Sequence, residues 1–327
     1  MSVLLSVVVP TWRRPALLAR CLQALLAQTL QPSLYEIVVA DDAPEEAVRE
    51  LVERLRTRAR CELPRCELRY VPVRETQGAA GARNAGWRAA RGEIVAFTDD
   101  DTIPDRDWLL AGLRALAGGA SAVTGRVEMP LPPRPTDYEK DAAGLTRAEF
   151  VTANCFVRRD VLERIGGFDE RFTSAWREDS DLHFRLLEAG CRIEHAPDAL
   201  VVHPVREAGF GVSLMQQRKV VFDALLYRKH PRLYRQRIRR VPPIEYYVAA
   251  ASVLVAALAA AAGRPRAALV ALAPWLLVTL YLMFRRLQGT THSPRHVAEM
   301  AITSATIPLA SVFWRSVASV RHRVLFL

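Results

Sequence analysis

Strand-like and helix-like segments alternate four times within the first hundred residues, and two of the strands run directly into aspartates. Residues 3–9, Val-Leu-Leu-Ser-Val-Val-Val, are β-branched and almost continuously apolar, which marks a strand buried on both faces. Residues 15–28 then place Leu17, Leu18, Cys21, Leu22, Leu25 and Leu26 on one helical face, with Pro15 in the first turn. The pattern continues with a strand over 36–40, a helix over 45–58, a strand over 68–73, a loop turning into a helix over 78–91, and a strand over 93–98. Such alternation predicts an α/β fold: βαβ units forming a Rossmann-like, mainly parallel sheet with helices on both faces. Ligands of these sheets bind beyond the carboxyl ends of the strands. Asp41 and Asp42 stand at one such end, and Asp99, Asp100 and Asp101 at another.

The next hundred residues are less regular. A Pro-rich start makes 131–145 a loop. Residues 150–157 read as a strand, 159–165 as a short helix stopped by Gly166-Gly167, and 179–189 as a helix closed by Gly190. The character changes near Pro242. Residues 244–262 and 267–284 are apolar runs joined by a short turn holding Arg264 and Arg266, and they read as a transmembrane hairpin. The rival reading is a buried helical hairpin in a soluble protein. Residues 297–314 read as a third span or an interfacial helix. The expected division is therefore a domain over 1–240 and a C-terminal membrane region over 241–327.

The net charge of +10 favours anionic partners, and the basic stretch over 228–240 lies just before the first apolar run. That place suits a membrane surface better than a base-reading patch, so no nucleic-acid partner is expected. The five cysteines match no zinc spacing, and reduced thiols are expected, although Cys61 and Cys66 are close enough in sequence to pair. Residues 2–10 lack the basic leader and cleavage site of a signal peptide, which places the bulk of the chain in the cytoplasm.

The sharpest chemical feature is Thr98-Asp-Asp-Asp-Thr102 at the end of an apolar strand. Adjacent carboxylates repel unless a cation or donors compensate, and a hard divalent ion takes oxygen ligands and bridges to phosphates. The bland alternative is a helix N-cap, for which one aspartate suffices. Further pieces follow in order: Ser6-Val-Val-Val-Pro-Thr11, Glu36-Ile-Val-Val-Ala-Asp-Asp42, Ala82-Arg-Asn-Ala-Gly86, Phe97-Thr-Asp-Asp-Asp101, Gly166-Gly-Phe-Asp-Glu170 and Glu178-Asp-Ser-Asp-Leu182. Each is weak alone. In this order and spacing they resemble glycosyltransferase family 2, the inverting enzymes with a GT-A fold, and in particular its membrane-anchored bacterial type. The resemblance covers residues 3–205.

The resemblance implies a nucleotide-sugar donor and Mg2+ or Mn2+ as cofactor. Asp42 corresponds to the aspartate that accepts from the nucleotide base, with Pro10 and Thr11 bordering the same pocket. The usual Gly-Ser after that pair is Ala43-Pro44 here. Arg83, at a helix start, would face the diphosphate. Asp101 and Asp99 match the Asp-x-Asp motif, Asp101 as metal ligand and Asp99 as metal and nucleotide contact; His203 stands where relatives carry histidine and would be a third metal ligand or a phosphate contact. Glu178 and Asp179 match the catalytic Glu-Asp pair, with Asp179 as general base. Their bland alternative is charge on the first turn of the following helix, the role expected of Asp181. Trp176 would stack on a sugar or simply pack. The implied acceptor is a lipid-linked glycan or cell-surface polysaccharide precursor at the inner (plasma) membrane. The rival readings are a catalytically inactive membrane scaffold of the same fold, and a nucleotidyl-transfer enzyme, which would want a Gly-rich loop where Pro10-Thr-Trp-Arg-Arg-Pro15 stands.

Overall fold

Among the described residues, eight strands form one sheet in the order β3-β2-β1-β4-β7-β6-β8-β5. Their ranges are β1 Leu5–Thr11, β2 Tyr35–Asp41, β3 Glu67–Pro72, β4 Ile94–Phe97, β5 Ile103–Pro104, β6 Ala122–Glu128, β7 Cys155–Arg158 and β8 Ile193–Val202. The computed structural model describes residues 3–62 and 67–327, so the pairing of Cys61 with Cys66 lies outside the described residues. Cys21, Cys155 and Cys191 are free and buried.

The pairs β1/β2, β2/β3, β1/β4 and β6/β8 are parallel, whereas β7 runs antiparallel between β4 and β6. One antiparallel strand between two parallel blocks leaves the carboxyl ends of β1, β2, β3, β4, β6 and β8 along the same edge. Side chains alternate across the sheet. Val7, Val9, Ile37 and Val39 pack with α1 (Pro15–Leu26), α2 (Glu46–Glu62) and, through Trp108 and Leu109, the helix Trp108–Ala117. Val8, Val38, Val95 and Phe97 pack on the other face with the helices Ala79–Ala89, Arg159–Ile165 and Glu178–Glu188. The mainly parallel sheet with helices on both faces is thus present.

Two segments differ from the sequence expectation. Residues 131–145 contain the helix Asp137–Ala142, started by a capping box in which Thr136 Oγ1 accepts from Glu139 N and the Glu139 carboxylate accepts from Thr136 N. The strand expected over 150–157 is shorter, Cys155–Arg158, because Asn154 turns its amide inward to bond the Arg126 and Ala199 carbonyls at 2.8 Å each. There β8 bulges, with Gly125 opposite Ala196 and Arg126 opposite Leu200.

The chain forms two compact units, Met1–Pro130 with Gly144–Pro204, and Leu131–Ala143 with Val205–Leu327. This division differs from a boundary at 240. The second unit gathers residues 131–143 because Arg286 Nε and Nη2 bond Asp137 Oδ2 at 2.9 and 2.7 Å. It carries three helices long and apolar enough to cross a membrane: Ile244–Ala261, Pro265–Leu287 and Pro294–His322.

Candidate active site

The acidic turn after β4 sends its three carboxylates in different directions. Asp100 points back into the protein, where its Oδ2 accepts from Thr11 Oγ1 at 2.8 Å and its Oδ1 from Arg14 Nη1 at 3.1 Å. Burial raises its proton affinity, and Arg14 and Thr11 oppose that rise. The middle aspartate therefore ties the end of β4 to the end of β1, and Thr11 uses its hydroxyl there. Thr98 and Thr102 brace the same turn through hydroxyls 2.7 Å apart.

Asp99, which is partly exposed, meets the buried Asp101 and the buried His203, which follows β8. Ligand atoms of the three lie within 4.8 Å of one another. His203 Nε2 is 3.7 Å from Asp101 Oδ1, and the His203 backbone N–H is held by the Glu128 carbonyl at 2.8 Å. Sheet topology explains the meeting: β4, β6 and β8 all end on this edge. Two carboxylates and one imidazole form a hard, oxygen-rich donor set that fits Mg2+ or Mn2+.

Arg83 is 2% exposed. Its Nη2 donates to Asp99 Oδ1 at 2.7 Å and its Nη1 to Glu178 Oε1 at 3.1 Å. Burial weakens a guanidinium's hold on its proton, but the two carboxylates more than offset this and raise its pKa. Two of its nitrogens thus bind protein carboxylates, while its Nε is buried without a hydrogen-bond partner. Glu178 is buried, its Oε2 has no hydrogen-bond partner, and burial together with the Asp179 charge pushes its pKa up to about 7 against the pull of Arg83. Asp179, by contrast, is half-buried, and its Oδ1 accepts from Ser180 N at 2.6 Å. Arg177, at φ +75°, makes the left-handed turn that starts this helix. Asp181 bonds Arg185 Nε at 2.8 Å, one turn along the helix.

At the end of β2 the two aspartates divide their work. Asp41 closes the turn ahead of α2, accepting from Ala43 N and Glu45 N at 3.1 and 3.3 Å. Asp42 accepts instead from Gly78 N at 2.8 Å, and its own N–H reaches the Thr11 carbonyl at 2.9 Å. Asp42 Oδ1 is buried without a hydrogen-bond partner, and burial raises its proton affinity. Gly78 is required at that contact: its φ is +93°, and a Cβ there would meet the Thr173 carbonyl oxygen at 2.4 Å. Pro10 is buried at the end of β1. Trp176 is 38% exposed, with the Arg177 guanidinium 4.7 Å from its ring centre.

The structural roles of Asp41, Asp100 and Asn154 escaped the sequence reading. Only Asp41 carried a signal, an aspartate just ahead of a helix start. Asn84 uses its amide fully, bonding the Phe168 backbone, Glu170 and the Trp87 indole, and so anchors the Gly166-Gly167 turn next to Arg83.

The family profile described as Glycosyl transferase family 2 matches residues 6–168, and that of Glycosyl transferase family group 2 matches residues 137–287. Glycosyltransferase AglE of Haloferax volcanii is 30% identical over 227 residues, covering 66% of this chain and 71% of that protein. Validoxylamine A glucosyltransferase of Streptomyces hygroscopicus subsp. limoneus is 31% identical over 57% of this chain and 48% of its own, so the chain spans about half of that relative. Among solved structures, the mannosyltransferase PcManGT of Pyrobaculum calidifontis in complex with GDP-Man and Mn2+ aligns with a TM-score of 0.60 and 25% identity, over 93% of this chain and 86% of that one.

Proposed function

The chain belongs to glycosyl transferase family 2, and from that premise we propose that it is an inverting enzyme moving a sugar from a nucleoside-diphosphate sugar to a hydroxyl of a lipid-linked glycan or cell-surface polysaccharide precursor. The observation that carries this reading is the gathering of Asp99, Asp101 and His203 beside Arg83, whose other nitrogen holds Glu178 next to Asp179.

The orphaned Asp42 Oδ1 takes the N–H of the nucleotide base, in a pocket bordered by Pro10 and Thr11. Asp99, Asp101 and His203 would hold the divalent ion. That ion, when bound, neutralises charge on the diphosphate and makes it a better leaving group. Arg83 fixes Asp99 and Glu178 in place and adds positive potential near the phosphates. Asp179, the more accessible of the acidic pair, takes the acceptor hydroxyl's proton as that oxygen bonds to the anomeric carbon and the carbon–phosphate-oxygen bond breaks. Attack opposite the leaving group inverts the anomeric centre. The related mannosyltransferase solved with GDP-Man and Mn2+ supports the donor class and the metal. The apolar helices after residue 243 anchor the chain at the inner (plasma) membrane, with residues 1–240 as the catalytic domain on the cytoplasmic side.

The test is a panel of UDP-, GDP- and dTDP-sugars assayed for release of nucleoside diphosphate, with Mn2+ and after chelation by EDTA. One donor class should be turned over, and chelation should reduce turnover to background until Mn2+ is restored. Failure of wild-type protein to release nucleotide from any donor would favour the inactive scaffold.

A further inference from the structure

We propose that Pro294–His322 does not cross the membrane but lies along its surface layer with one apolar side in the lipid, so that Ile244–Ala261 and Pro265–Leu287 alone cross. By length the helix could span. Its 29 residues extend about 43 Å at 1.5 Å per residue. Its mean hydropathy of 1.3 is the lowest of the three, against 1.8 and 2.1.

What argues against crossing is where its two ends are held. Near the start, Glu299 Oε1 accepts from Gly211 N at 2.7 Å. Arg286, at the end of the second apolar helix, donates to Ser213 Oγ at 2.8 Å and to Thr303 Oγ1 at 2.7 Å. At the far end, Arg228 Nη1 donates to the His322 carbonyl at 2.9 Å. Phe326 folds back just beyond it, with ring centres 5.6 Å from Tyr227 and 5.7 Å from Tyr234. Both ends are therefore fastened to the polar stretch that precedes Ile244. Glu299 and His322 are about 35 Å apart along the helix, more than the roughly 30 Å of a hydrocarbon core. An upright helix would put Gly211 and Arg228 on opposite membrane surfaces. Residues 212–227, with Arg218, Lys219 and Asp223, would then have to pass through hydrocarbon, and charged side chains there are expensive. Arg228 opens the basic stretch that runs to Arg240 without a carboxylate, and that stretch belongs in water.

The helix also exposes large apolar side chains that a soluble surface would not carry in a row. Its covered side is mixed, with Met300, Ile307 and Ala318 buried beside His296, Thr303 and Arg315, whereas Ile302, Phe313 and Val320 are exposed by 54%, 59% and 80% along one stripe. Arg295 and Arg321 are exposed near the two ends of the helix. The acyl–headgroup boundary of a bilayer is the partner that suits such a surface, reached by continuity with the two crossing helices.

The proposal rests on the hairpin being in the membrane, not on the transfer reaction. The test places protease-cleavable epitope tags before Met1, within the exposed turn at Gly263, and after Leu327 of the full chain in sealed, uniformly oriented membrane vesicles. The tags before Met1 and after Leu327 should be cleaved or protected together, and the Gly263 tag should behave oppositely. Grouping of the Leu327 tag with the Gly263 tag would mean a third crossing and overturn the proposal. All three tags on one side would overturn it too, by removing the hairpin from the bilayer. A benzoylphenylalanine photo-crosslinker at position 313 should yield lipid adducts; crosslinks to another protein, or none at all, would contradict a lipid-facing side. Nucleoside-diphosphate release by the same tagged chains reports separately on the transferase reading.

Discussion

With one guanidinium nitrogen on Asp99 and another on Glu178, Arg83 couples the metal-side carboxylate to the acidic pair that starts the helix Glu178–Glu188. Replacing Arg83 by Met leaves two carboxylates, one of them fully enclosed, without their cation. Breaking a buried pair in this way costs roughly 3–5 kcal/mol, so urea denaturation of Arg83→Met should show a loss of that order, discounted because Asp99 is partly exposed. Glu36 gives a pH-dependent test at the other end of the sheet. It is buried in β2, which by itself raises its pKa, but Ser6, the Arg91 backbone and the Arg91 guanidinium outweigh burial and hold it below the ordinary carboxylate range. A depressed folded pKa stabilises above the unfolded value, and that stability is lost as pH falls through the folded one. Wild type should therefore exceed Glu36→Gln in Tm at neutral pH, and the gap should narrow as thermal scans move below the ordinary carboxylate range. At this scale the sequence identified most side chains that meet, because strand-end aspartates in a βαβ fold have only one edge to occupy. It did not show which of two neighbouring aspartates turns outward. Asp41 against Asp42, and Asp100 against its neighbours, are decided by strand twist and by partners far along the chain, such as Tyr70 and Arg14.

Regular elements were legible where one period dominated. β1, β2 and β4 are nearly pure apolar runs, and α1 and α2 carry clear apolar stripes. β6, Ala-Val-Thr-Gly-Arg-Val-Glu, and the bulged β8 mix polar and apolar residues, so their place in the sheet is set by pairing rather than by composition. The helix Asp137–Ala142 was hidden by the prolines before it, although Thr136 and Glu139 carry a capping-box spacing. That box supports the helix that presents Asp137 to Arg286. Thr136→Ala should destabilise the protein by about 1 kcal/mol, read as a lowered denaturation midpoint. Thr136→Ser, which keeps the hydroxyl, should recover most of the loss.

Across the whole chain, one topological choice organises the first unit. By setting antiparallel β7 between β4 and β6, the sheet brings the carboxyl ends of six strands to one edge, so that His203 meets Asp99 and Asp101 from about a hundred residues away. The second unit holds three apolar helices and the basic stretch before them. The central claim is that one cleft grips a metal-bound donor while a neighbouring carboxylate deprotonates the acceptor. The most direct measurement is nucleoside-diphosphate release and donor affinity in Asp179→Asn and Asp101→Ala, each with and without Mn2+. The account predicts that Asp179→Asn keeps donor binding but loses about 10²–10⁴-fold in turnover, whereas Asp101→Ala loses the Mn2+-dependent part of donor binding as well. Wild-type turnover by Asp179→Asn, or Mn2+-dependent binding undiminished in Asp101→Ala, would contradict it.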